Sequence, residues 1–133
     1  QDKAVYGLET IREQLDLFDT MPESDQVILL RDAVDNLSEL DAMNAELLAV
    51  YKQRDIEGLL ALNEVSMQTG DQRLAKDFQK RVIDDRNHLM AERMQQYLQQ
   101  GKAFVAVGAL HLPGEEGLLN LLEQQGYTVR RVY

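Results

Sequence analysis

The sequence predicts an α-rich α/β fold: a short, mostly parallel sheet, a large helical insertion and a C-terminal βαβ unit. Three observations predict it. Short apolar runs at 4–8, 103–107 and 127–132 have strand length and composition. Between the first two runs, over 21–100, apolar residues recur at steps of three and four, the helical period. A further helical stretch separates the last two runs, and strands joined by a helix are expected to be parallel with a right-handed crossover. The whole is read as one domain over 1–133, with 21–100 as the helical insertion within it.

The elements follow in order. Ala4 to Leu8 is the first expected strand, with Glu9 at or just past its carboxyl end. Ile11, Leu15 and Phe18 then recur at helical spacing between Thr10 and Thr20. Met21-Pro22 ends that helix, because proline cannot continue one. Glu23-Ser24-Asp25 supplies a cap and first-turn acids for a long helix from Ser24 to Gln53, bent near Asn36-Leu37-Ser38. Asp55 caps a third helix through Leu59, Leu60, Leu62 and Val65, and Gly70-Asp71 makes a turn. A fourth helical stretch runs from Asp71 to Gln100, with Gly101 suited to close it. The strand Ala103 to Val107, the His111 loop, a helix through Leu118, Leu119, Leu121 and Leu122, the terminator Gly126 and a last strand complete the chain.

Composition narrows the partners. The 133 residues suffice for one buried core, and the formal charge is −9. An acidic surface is repelled by nucleic acid and by anionic membranes, so neither is expected as a partner. No apolar run is long enough for membrane insertion. There is no cysteine, which excludes disulfides and thiolate metal sites. No targeting signal is seen, and because the chain starts at Gln1 any leader is expected to have been removed.

Three groups of residues carry chemistry. His111 follows Phe104-Val105-Ala106-Val107-Gly108 and precedes Pro113-Gly114, which places an imidazole at the carboxyl end of an expected buried strand. That is where α/β proteins gather ligand and catalytic groups. Gly108 would let the backbone approach another group closely. The alternative for His111 is a structural ring bonded to a carbonyl. Glu9 is either a first-turn acid favouring a helix dipole or a carboxylate aimed into a cleft. On parallel neighbouring strands, Glu9 and His111 would converge on one rim. Arg86 and Asn87 lie on or beside the apolar stripe of Ile83, Met90 and Met94, where polar groups must find partners. They either staple helix to loop or orient Glu9 or a substrate. His88 is expected in solvent, and Glu115 and Glu116 are expected as first-turn acids.

The tail from Phe104 through Gly108, His111, Pro113-Gly114, Gly117, Gly126 and Tyr127 resembles the carboxyl end of the TraB/GumN family, also called the Tiki superfamily. Gly7-Leu8-Glu9-Thr10 with Gln14, and Arg86-Asn87 with Met90, resemble two further blocks of that family in the same order. The resemblance implies part of a larger EreA/ChaN/Tiki-like fold, a location in the cell envelope, periplasm or outside the cell, and a metal-dependent hydrolase of peptidase type. It maps the family's second Gly-x-x-His motif onto Gly108 and His111, its glutamate onto Glu9, and its Arg-Asn block onto Arg86 and Asn87. The first Gly-x-x-His motif is expected upstream of Gly7, where there is no room for it. The chain is therefore expected to be a carboxyl-terminal portion that is inactive by itself.

In the intact enzyme the resemblance implies a divalent metal ion with His111 and Glu9 as ligands, Glu9 alternatively as base, and Arg86 or Asn87 orienting a carboxylate or stabilising an oxyanion. Two ligands fall short of the usual three, so weak metal binding by this chain is expected. The substrate would be a peptide or a small molecule. The rival is a non-catalytic cell-envelope protein whose acidic helical insertion binds a partner. The same helices also suit self-association into a homo-oligomer.

Overall fold

Among the described residues the regular structure is entirely helical: seven α-helices joined by two 3-10 turns and one π turn, with no strand. This computed structural model describes residues 3–68 and 70–132.

Local chemistry sets most helix ends. Helix α1 (Ile11–Asp19) starts with a reciprocal cap. The Thr10 hydroxyl accepts from the Glu13 amide at 3.2 Å, and the Glu13 carboxylate accepts from the Thr10 amide at 2.8 Å. Helix α2 (Glu23–Asp35) begins directly behind Pro22, so Ser24 and Asp25 lie inside its first turn rather than capping it. The long helix expected over 24–53 is two helices. A 3-10 turn at Leu37–Glu39 separates α2 from α3 (Leu40–Lys52), at the bend the sequence indicated. Asp55 caps α4 (Ile56–Ser66) by accepting from the Gly58 amide at 2.9 Å. Asp71 caps α5 (Gln72–Gln79) through the Leu74 amide at 3.0 Å. The expected stretch 71–100 is interrupted by a π turn at Lys80–Asp84, beyond which α6 (Asp85–Gln100) runs to Gly101. Gly101 has φ +74°, a left-handed conformation that suits glycine. A 3-10 turn at Ala109–His111 and α7 (Leu118–Gln124) follow.

The core lies between α6 and α7. Met90, Ala91 and Met94 pack against Leu118 and Leu121, with Leu8, Leu98, Val107 and Leu122 around them. Met21, Leu59 and Leu74 are buried outside this cluster. No helix of the described residues is long and apolar enough to cross a membrane.

The α/β expectation is overturned. Residues 4–7, 103–107 and 127–132 belong to no helix or sheet, so the described residues contain neither the parallel sheet nor the C-terminal βαβ unit. Alternating apolar residues show which face of a segment seeks cover. They do not supply the second backbone that a strand needs about 4.8 Å away. The segments meet α6 instead. Tyr6 stacks on Tyr97 with centroids 4.8 Å apart, and Arg93 donates to the Leu8 carbonyl at 2.8 Å. Val107 joins the core while Phe104 is 92% exposed, and the Tyr127 hydroxyl donates to Gln95 at 2.8 Å. His111 accordingly follows no buried strand.

Core and surface should respond differently to truncation. Met94→Ala, at a position 2% exposed, is expected to cost about 2–5 kcal/mol in urea unfolding. Leu30→Ala, at a position 66% exposed, is expected to stay within about 0.5 kcal/mol.

Candidate functional site

Two adjacent residues at the start of α6 organise the site. Neighbouring helical positions project about 100° apart, so Arg86 and Asn87 serve different partners. Arg86 grips Glu9 with two parallel bonds, Nε to Oε1 at 2.7 Å and Nη2 to Oε2 at 2.8 Å. This is the fork geometry in which arginine binds carboxylates best. Its Nη1 donates to the Val82 carbonyl at 2.9 Å, within the π turn. Glu9 is held on both sides: Arg93 takes the Leu8 carbonyl and also pairs with Glu13 at 2.5 Å, while Thr10 caps α1. The Glu9 side chain is 9% exposed and that of Arg86 20%.

Asn87 is 1% exposed, and both ends of its amide are bonded. Nδ2 donates to the Glu116 carbonyl at 2.7 Å, and Oδ1 lies 2.7 Å from His111 Nδ1. The carbonyl of Glu116 can only accept, so it fixes which end of the amide is nitrogen. Oδ1 must then accept from His111, and Nδ1 carries the hydrogen. In the neutral ring the lone pair therefore sits on Nε2. Among the described residues Nε2 has no hydrogen-bond partner, and no fully buried side-chain nitrogen or oxygen lacks one. Nε2 therefore keeps contact with solvent.

The loop that carries these groups is tight in one place. The His111 amide donates to the Gly108 carbonyl at 3.0 Å. A Cβ on Gly108 would make ordinary contact with the His111 ring at 3.5 Å, so close approach does not require glycine there. Gly117 is different: a Cβ would fall 2.1 Å from the Pro113 carbonyl oxygen. The loop from Pro113 to Gly117 closes because that side chain is missing, and closure delivers the Glu116 carbonyl to Asn87.

Charge completes the picture. Burial lowers the His111 pKa below its usual 6.5, reinforced by the Arg86 charge and opposed by Glu9. Hydrogen bonds from Arg86 lower the Glu9 pKa despite partial burial, with smaller help from the Arg86 charge, Gln14 and His111. Glu13 is lowered to about 2, first by Arg93 and then by Thr10. His88 is exposed and pairs with Glu116 at 2.5 Å.

Glu9, Arg86, Asn87 and His111 thus all gather at the amino-terminal end of α6, and Glu9 and His111 sense each other's charge. They do so around a helix end, not on a sheet rim. Among the described residues no three His, Cys, Asp or Glu side chains assemble to hold a metal. His111 fits one nitrogen ligand position. Arg86 engages both oxygens of Glu9, so a cation there would share them with the guanidinium. Two open clefts of about 670 and 690 Å³ flank the site, one reaching Asn87, Leu110 and Pro113, the other Glu9 and Arg86. The sequence did not reveal the part of Glu116, which acts through its backbone, nor that of Arg93, which looks like any charge on a solvated helix face. The Gly114-Glu115-Glu116-Gly117 spacing was the one signal of a tight loop.

The depressed His111 pKa sets a pH window. The unfolded ring takes its proton near pH 6.5, the folded ring lower, so the unfolded state binds more protons between those values. Stability should be complete above pH 6.5 and fall as pH drops through the folded value. In a His88→Gln background, His111→Gln should remove this limb and leave the carboxylate limb below pH 4.5, where Glu9 protonates. Urea unfolding between those limits checks this. Asn87→Ala should cost about 1–3 kcal/mol, because it strands both His111 Nδ1 and the Glu116 carbonyl.

The comparisons with known proteins bear on this arrangement. The model of the TraB/PrgY/gumN family matches residues 1–131. Neither the curated proteins nor the solved structures gave a match. With nearly its whole length matched, and with the site residues inside the matched span, this chain belongs to the TraB/PrgY/gumN family.

Proposed function

We propose that the chain is the His111-bearing part of a metal-assisted hydrolase. One observation carries the reading: Asn87 holds Nδ1 at 2.7 Å and so leaves the lone pair on Nε2, which has no hydrogen-bond partner among the described residues, on a ring that is 7% exposed. The lowered pKa keeps that lone pair unprotonated at neutral pH. Metal-ligating histidines are oriented in this way by a partner on the other ring nitrogen. A divalent cation, when bound, would polarise a scissile carbonyl and acidify its water.

The chain's own residues do the rest. Asn87 fixes the ring and its tautomer. Glu9, held ionised by Arg86, is a poor proton acceptor, so its part is to neutralise and position the guanidinium. Arg86 uses three of its five N–H groups on Glu9 and Val82. The other two remain to meet negative charge that develops on a substrate oxygen. On this reading further metal donors come from outside the described residues, and His111 by itself binds a cation weakly.

Zinc titration tests the reading. Calorimetry should give dissociation in the millimolar range, about −4 kcal/mol. In NMR spectra Zn²⁺ should shift the His111 ring signals in wild type and in His88→Gln. Silent His111 signals at millimolar Zn²⁺, or micromolar binding that survives His111→Ala, would overturn the assignment.

A further inference from the structure

We propose that α2 and α3 form a docking face for a cationic amphipathic helix of a partner protein. Val27, Leu30, Val34 and Leu37 follow at steps of three, four and three and are 49%, 66%, 62% and 64% exposed. Met43, Leu47 and Tyr51 continue the helical step along α3 at 47%, 39% and 58%. In α6 the same periodicity buries Met90 and Met94 to within 3%. Here it faces water. An exposed apolar stripe marks an interaction site, and the three-four step is the pattern by which helices grip helices.

On α2 the stripe lies opposite the side that anchors the arm. Asp25 pairs with Arg73 of α5 at 3.1 Å, and Ile28 and Leu29 are half-buried. Helix α3 rests on α4 through the half-buried Val50, while Met43 and Leu47 beside it stay in part exposed. The free side of α2 is therefore presented outward.

Charge selects the occupant. Residues 23–52 hold Glu23, Asp25, Asp32, Asp35, Glu39, Asp41 and Glu46 against Arg31 and Lys52. Glu23, Asp35, Glu39, Asp41 and Glu46 are exposed and join no ion pair among the described residues. A second copy would set this acidic surface, on a chain of net charge −9, against itself. Anionic lipid and nucleic acid are repelled for the same reason. A helix with an apolar stripe bordered by lysine or arginine satisfies both the apolar residues and the unpaired carboxylates. This face is independent of the His111 site.

The test uses the whole chain and a labelled synthetic peptide of leucine and lysine, with leucines at steps of three and four. A scrambled peptide of identical composition is the control. Fluorescence anisotropy should show the ordered peptide binding at least about tenfold tighter than the scrambled one, and more weakly as salt rises. Val34→Ser combined with Leu37→Ser should weaken the ordered peptide by about tenfold or more. Ile11→Ser, on α1 and 79% exposed, should leave binding within about twofold. Should the double variant lose helicity by circular dichroism, Leu30→Lys, a single exposed change, carries the same expectation. Equal binding of the two peptides, or indifference to these substitutions, would overturn the proposal. So would a dimer in sedimentation that the same substitutions dissociate, which would give the face to a second copy.

Discussion

A buried amide cannot leave either end empty, and the site depends on that constraint. Asn87 is almost wholly enclosed, so its nitrogen must find an acceptor and its oxygen a donor. The Glu116 carbonyl and the His111 ring meet those needs, and each is thereby fixed by the other. One side chain joins α6, the loop before α7 and the 3-10 turn that carries the imidazole. It also determines which ring nitrogen holds the proton. Orientation, tautomer and loop closure are a single property of this helix position.

The ion pair beside it has a different character. Arg86 and Glu9 are largely shielded and bound through two parallel bonds, so neither is readily available for proton transfer. A carboxylate held this way stays charged well into acid, and it lets a guanidinium sit next to a neutral imidazole without excess positive charge. Breaking such a pair by removing one partner leaves an uncompensated charge in a poorly hydrated place. The arrangement places a fixed dipole next to a titratable ring.

The helical elements were legible from the sequence because helix signals are local. Asp55 and Asp71 announce their helices, Gly101 closes one, and the bend near Leu37 is visible in the pattern. The lack of a sheet among the described residues was not legible, because pairing is non-local. Val105 and Val107, or Tyr127 and Val129, have strand composition whether or not another backbone lies beside them. Arg93, Gln95 and Tyr97 of α6 supply partners that no alternation rule anticipates. The site was legible as a set of residues, and their convergence was expected for a different reason. Glu9, Arg86, Asn87 and His111 meet at a helix end rather than along strand ends. What the sequence concealed acts through the backbone, as the Glu116 carbonyl does, or through a glycine that works by omission, as Gly117 does.

The π turn at Lys80–Asp84 inserts one extra residue into what would otherwise be a continuous helix. Arg86 and Asn87 are oriented by that surplus, and Arg86 returns a hydrogen bond to the Val82 carbonyl inside it. Losing one residue there would spin everything downstream by about 100° about the helix axis. The guanidinium and the amide would swing off their partners together. The number of residues in this segment is therefore itself a constraint, because the Val82 carbonyl meets Arg86 through the backbone, whatever side chain stands there.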